Sequence, residues 1–417
     1  MKLNSIAITA SFAATSAAWY TNPITKLLRE SSPAVDILPP KQDPWYTAPA
    51  NFEQAAPGAI LRVRLAPGNI TEVQGNSSAA YNILYRTTDS QYQPTWAVTT
   101  LFVPNTTILF GNDKLLSYQI PYDSADLDAS PSYALYGAGL PDIGEALGKG
   151  WYVNVPDYEG PLASFTAGVI SGHATLDSVR AVLNSGFGLR NGTRYAMWGY
   201  SGGALASEWA AELQVQYAHD LEFAGVALGG LTPNVTSVLV AGTGSVFAGL
   251  IPAGILGLAS QYPELEQFLL DNLKEEGEYN ATGFLMARNQ TLIESIGAFN
   301  GQDITNYFEG GLDTLFAPIS QRVINRDGIM GYHGVPQMPV YAYKAIQDEI
   351  SPVNDTDALI ERFCGIGATI RYDRNTVGNH GGEATNNQPQ AVEFLDSVLG
   401  GTYNATGCQI QNVTVGS

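Results

Sequence analysis

Cysteine is nearly absent from this chain: 417 residues contain two, Cys364 and Cys408. Two thiols cannot complete a structural zinc site, and neither sits in a nucleophile-like context. Positive charge is also scarce. Twenty Lys and Arg face 39 Asp and Glu, a net charge of −19. Such a chain repels phosphate, which excludes nucleic acid as a partner. Charged residues of either sign make up only 14%, few for a cytosolic protein, and the acidity reads as solubility in an acidic medium. Histidine occurs four times, so any imidazole base is one of His173, His219, His333 and His380. Charge is missing altogether between Phe223 and Pro263. That run holds Pro233, Pro252, Asn234 and many glycines, so it reads as a buried strand leading into small-residue helices. A membrane span is the alternative that this composition disfavours.

Hydrophobic residues are plentiful, 45% of the chain, enough for a large core. The first residues, MKLNSIAITASFAATSAAWY, combine one lysine, an uncharged run and the small residues Ser16-Ala17-Ala18. This is the pattern of a secretory leader over 1–18, leaving 19–417 as the mature chain. N-x-S/T sequons agree with that route. They occur at Asn69, Asn76, Asn105, Asn191, Asn234, Asn280, Asn289, Asn354, Asn404 and Asn412. An extracellular glycoprotein is expected, with the cysteine pair oxidised to a disulfide worth roughly 3–4 kcal/mol.

Strand-like segments rich in Val, Ile, Thr and Tyr recur over 60–104, 114–121, 149–157, 194–199, 223–230, 338–346 and 367–374. Helical stretches alternate with them, including 175–185 and the run LEQFLLDNLKEEG. This alternation predicts an α/β fold: a mostly parallel sheet with helices on both faces. The stretch 232–318 lacks a clear strand and reads as a helical insertion between core strands. Residues 19–50 are proline-rich and read as an extended surface segment.

Between the strand RYAMWG and a helix-like run stand Gly199-Tyr200-Ser201-Gly202-Gly203. A serine hydroxyl at a sharp strand-to-helix bend stands clear of the backbone. Glycines two before and two after relieve the crowding, and the helix N-terminus faces the place where oxyanion charge develops. This matches a nucleophile elbow at Ser201. An elbow of this kind predicts the order serine, acid, histidine. His173 precedes the serine, and His219 follows the elbow helix before the next strand. His380, after the strand 367–374, is preferred as base over His333. The acid belongs on the loop after 338–346, where Asp348 is chosen and Glu349 and Asp355 are the alternatives.

The stretches 117–135, 156–183, 199–213, 344–352 and 364–383 together resemble the fungal secretory lipases, the lipase-A type of Candida. The resemblance spans nearly the whole mature chain. It implies an α/β-hydrolase with a helical cap, here 232–318, that hydrolyses carboxylic esters including triacylglycerols. By position it places the nucleophile on Ser201, the acid on Asp348 and the base on His380. It places the oxyanion hole on Gly202 and Asp123, and pairs Cys364 with Cys408. A family cysteine falls on Ala129 here, so a second bridge to the cap is lost. No metal or organic cofactor is implied. The expected activity is triacylglycerol hydrolysis at a lipid–water interface. The alternatives are deacylation of a small soluble ester, such as an acetylated secondary metabolite, and a non-catalytic binding role. A monomer without a transmembrane anchor is expected.

Overall fold

The computed structural model describes residues 37–105 and 114–416. The leader expected over 1–18 lies outside the described residues. Among the described residues ten strands form one sheet in the order β1-β2-β3-β5-β4-β6-β7-β8-β9-β10. They are β1 (Ile60–Leu65), β2 (Ser77–Thr88), β3 (Pro94–Pro104), β4 (Lys114–Gln119), β5 (Tyr152–Pro156), β6 (Arg194–Tyr200), β7 (Val226–Gly229), β8 (Val340–Ala345), β9 (Ile370–Asn375) and β10 (Cys408–Val413). Strands β1, β2, β3 and β5 pair antiparallel, and every pairing from β5 through β4 to β10 is parallel.

The parallel strands are covered on both faces, which is why they read as continuous apolar runs rather than alternating ones. Successive side chains still point to opposite faces. From β6, Met197 joins one core while Ala196 and Trp198 join the other. From β8, Val340 and Ala342 join the first, and Tyr341 and Tyr343 the second. The first core packs under the helices Gly168–Leu183, Gly202–Tyr217 and Val353–Ile366, the second under Pro141–Gly148 and Gln388–Gly400.

Between β7 and β8 the chain forms helices, among them Val235–Gly242, Leu250–Ala259, Pro263–Asp271, Leu292–Phe299 and Pro318–Asp327. Helical structure thus runs on to Asp327. This segment has a core of its own, built on Leu256, Leu258, Phe284, Phe299 and Phe308, which meets the rest through Phe165, Ile170 and Ile350. Among the described residues no helix is long and apolar enough to cross a membrane. The charge-free run divides instead into β7 and the helices Val235–Gly242 and Leu250–Ala259.

Three elements differ from the sequence expectations. The helix expected at 175 starts at Gly168. Its glycines permit close approach to the elbow helix: a Cβ on Gly168 would lie 1.9 Å from Trp209 Cε2, and one on Gly172 2.8 Å from the Trp209 backbone. The helix expected to run through 277 stops at Asp271, before Glu275, Glu276 and Glu278. The third is β10, an exposed edge strand parallel to β9 that had no counterpart in the sequence reading. Cys364, in the helix Val353–Ile366, is disulfide-bonded to Cys408, the first residue of β10. The bridge closes a 44-residue separation, for which chain entropy gives about 4 kcal/mol.

Candidate active site

Strand β6 ends in a bend at Ser201, whose φ of 52° and ψ of −122° lie in a region that non-glycine residues rarely occupy. Holding a serine there costs on the order of 1–3 kcal/mol. The Ser201 N–H donates to the Gly229 carbonyl at 2.9 Å, and its own carbonyl accepts from Leu205 N–H at 2.9 Å. The flanking glycines are steric requirements: a Cβ on Gly199 would sit 2.1 Å from the Gly203 carbonyl oxygen, and one on Gly203 1.9 Å from the Gln119 oxygen. Ser201 is the N-cap of a 16-residue helix, so the positive end of that helix faces the hydroxyl.

His380 approaches from the other side. It is the first residue of the helix His380–Asn386, which Asn379 caps by accepting from Gly382 N–H. His380 Nε2 lies 2.9 Å from Ser201 Oγ, and Nδ1 lies 2.7 Å from Asp348 Oδ2. Asp348 Oδ1 accepts the N–H groups of Ile350 and Ser351 at 2.9 and 2.8 Å. Oδ2 also accepts from Lys344 Nζ at 2.9 Å. Burial works against the carboxylate, but the hydrogen bond with His380 and the Lys344 ammonium outweigh it and hold its pKa at about 2. The imidazole therefore lies between an ionised carboxylate and a serine hydroxyl.

The remaining candidates fall into place around this chain of contacts. Glu349 accepts the His380 backbone N–H at 2.9 Å and so orients the helix start rather than the ring. Asp355 sits in the first turn of Val353–Ile366. His333 packs on Trp209, with Nδ1 3.9 Å from Glu212, and His173 is buried against Tyr217. His219 is exposed. Two contacts were not foreseen from the sequence. The Tyr200 hydroxyl donates to the His380 carbonyl, and Lys344 pairs with Asp348. The spacing Lys344-x-x-x-Asp348 was the signal available for the second.

Asp123 has φ 44° and lies across from Gly202 so closely that a Cβ on Gly202 would be 1.9 Å from Asp123 Oδ1. That oxygen has no hydrogen-bond partner among the described residues. Burial pushes the Asp123 carboxyl up to about 7. Glu159, buried nearby, is pushed well up by burial and by Asp123 and Asp157. Ser201, Asp123 and Gly202 open onto a cavity of about 770 Å³, part of it solvent. Its walls are apolar, with Leu205 from the elbow helix, Val235, Leu239 and Ile251 from the helices between β7 and β8, and Ile350.

Residues 135–407 match the secretory lipase family. The chain belongs to that family. It is 53% identical to the trichothecene C-3 esterase of Fusarium sporotrichioides over 394 residues, 90% of this chain and 88% of the relative. It is 36% identical to lipase A of Arthroderma benhamiae over 400 residues, 90% of this chain and 83% of that one. Candida antarctica lipase A in its closed state superimposes with a TM-score of 0.82 at 28% identity, over 92% of this chain and 91% of that structure. The fold is thus that of the α/β-hydrolase lipases, and this member of the secretory lipase family is a carboxylic ester hydrolase.

The sequons are distributed over the surface. Asn69, Asn76, Asn105, Asn191, Asn289, Asn354, Asn404 and Asn412 are exposed. Asn234 and Asn280 are half-buried, and each caps a helix by accepting a backbone N–H.

Proposed function

We propose that this family member is a secreted enzyme that deacylates esters through an acyl-Ser201 intermediate. Its triad is Ser201, His380 and Asp348. The observation that carries this reading is the hydrogen-bonded chain from Ser201 Oγ through the imidazole to Asp348, 2.9 and 2.7 Å long, at the wall of an apolar cavity. His380 Nε2 takes the hydroxyl proton as Oγ attacks the ester carbonyl carbon. Asp348 holds the tautomer with Nδ1–H and stabilises the imidazolium. The backbone N–H groups of Gly202 and Asp123 receive the oxyanion, each such donor lowering the barrier by about 3–4 kcal/mol. The C–O bond then breaks, and His380 returns its proton to the leaving alcohol. Water attacks the acyl-enzyme by the same route. The insertion 232–318 is the cap that covers the acyl and alcohol groups. The leader 1–18 and the exposed sequons support secretion.

The substrate we favour is an ester of a trichothecene at C-3, the class named for the Fusarium relative, a trichothecene C-3 esterase. The higher identity to that esterase than to the Arthroderma lipase supports this choice. Triacylglycerol hydrolysis is the second reading, supported by the apolar cavity walls. Initial rates on a 3-O-acetyl trichothecene, on nitrophenyl esters of graded acyl length and on a triolein emulsion separate the two. We expect acetyl esters to be preferred. Faster turnover of the emulsion than of every acetyl ester would favour the lipase reading.

The Asp123 carboxyl gives this site a pH dependence. It is neutral below its pKa of about 7 and becomes an anion beside Gly202 above it. A charge there opposes the developing oxyanion, so kcat/KM is expected to fall as pH rises through about 7. Asp123→Asn should abolish that alkaline limb, and a limb unchanged in the variant would assign it to another group. The linked effect on stability has a definite sign. A carboxyl raised in the folded state stays protonated where the unfolded chain has ionised. Its contribution is full below about pH 4 and is lost as pH rises to about 7.

A further inference from the structure

Lys344 is the fifth residue of β8, an interior strand buried along its whole length. Its side chain is 0% exposed. Nζ donates to Asp348 Oδ2 at 2.9 Å and to the Leu231 carbonyl at 2.8 Å. Leu231 directly precedes the segment 232–318, so one ammonium ties the strand, the acid loop and the root of the insertion together. The same Asp348 oxygen that Lys344 contacts also faces His380 Nδ1.

Burying an ammonium is costly, and a buried ion pair is seldom more stabilising than apolar side chains of the same volume. Hydrogen bonding alone does not call for a charge here. Asp348 Oδ1 is already fixed by two backbone N–H groups. The Leu231 carbonyl also accepts from the hydroxyls of Ser351 and Thr356 at 3.3 and 3.4 Å. The distinctive effect of the lysine is electrostatic. A lone carboxylate 2.7 Å from an imidazole favours its protonated form. A protonated imidazole cannot accept the Ser201 proton. A cation on the same carboxylate oxygen opposes that pull.

We propose that Lys344 is a positioning residue for the triad that acts through Asp348: its charge offsets that of the carboxylate oxygen addressing His380, so that activity extends to lower pH than it would without the cation. This rests on the triad assigned above. The charged and titratable neighbours are consistent with such a need. Glu349 accepts the His380 backbone N–H. Glu383, on the same helix as His380, is held by Asn375 and Asn387. Tyr200 packs against the ring. From the helix Val353–Ile366, Asp355 and Asp357 act on Lys344, and Asp357 is paired with Arg374 at 3.0 Å. Among these carboxylates Asp348 is the one that contacts the imidazole, and Lys344 is the cation that contacts Asp348.

The test is the pH profile of kcat/KM on p-nitrophenyl acetate for wild type, Lys344→Met, Lys344→Gln and Lys344→Arg. Lys344→Met is expected to move the acid limb about one pH unit upward, a loss of about tenfold at pH 5 with little change at pH 8. Lys344→Gln keeps a donor but no charge and should shift the same way. Lys344→Arg keeps the charge and should leave the limb near its wild-type position. A pH-independent loss in Met and Gln, or an unmoved limb, overturns the proposal. So does failure of both to fold, since the lysine then serves folding alone. Fluorophosphonate labelling of wild type and Ser201→Ala is run alongside. An unlabelled wild type removes the triad itself, whereas a labelled wild type with an unmoved limb removes only the role of Lys344.

Discussion

Ser201→Ala is expected to lower kcat on any ester substrate by about 10⁵–10⁶-fold while leaving the thermal midpoint close to wild type. The large loss follows from the chemistry: without Oγ there is no acyl-enzyme, and the imidazole and oxyanion donors act only on a direct water attack. The small stability effect follows from the fold. The Ser201 backbone bonds to Gly229 and Leu205 persist, and among the described residues the imidazole is the hydrogen-bond partner of the hydroxyl. Steady-state kinetics and calorimetry on one preparation check both parts. A variant retaining more than about a thousandth of wild-type kcat would place the nucleophile elsewhere.

Asp348→Asn should be damaging twice over. Catalytically, an amide facing Nδ1 favours the wrong tautomer, which costs about 10⁴-fold in kcat. Structurally, the substitution leaves the Lys344 ammonium buried beside a neutral amide. Breaking a buried pair by removing one partner costs about 3–5 kcal/mol. Two further N–H donors, of Ile350 and Ser351, lose a charged acceptor. Denaturant unfolding of Asp348→Asn and of Asp348→Asn with Lys344→Met checks the second part. The double variant is expected to recover much of the stability, because no unpaired charge remains, but not the activity. A single variant as stable as wild type would show that the pair contributes little.

Much of this was legible in the sequence, for identifiable reasons. Glycine spacing around Ser201 follows from sterics that any tight strand-to-helix bend imposes. The parallel strands announce themselves because burial on both faces demands continuous apolar runs such as YVNVP and VYAYKA. His380 could be preferred over His333 because a strand, an acid-bearing loop and a second strand precede it, and it lies in hydrogen-bond contact with Ser201 and Asp348. What was not legible depends on tertiary contact. The helix at Gly168 begins in GVISGH, whose glycines suggest a loop until the indole of Trp209 lies against them. Strand β10, CQIQNV, carries no apolar alternation. It is held by its ladder with β9 and by Cys408. Lysine is a surface residue by default, and only the loops converging on Leu231 and Asp348 explain the burial of Lys344. Asp123 gave no local sign that its backbone would adopt φ 44° beside Gly202.

Every step of this chemistry needs an activated hydroxyl at Ser201, and the most direct measurement of it is the mass of the peptide modified by a fluorophosphonate. The expected result is a single adduct on Ser201, formed with loss of all esterase activity and absent from enzyme carrying His380→Ala. An adduct on a different residue, or full inactivation with Ser201 unmodified, would contradict it.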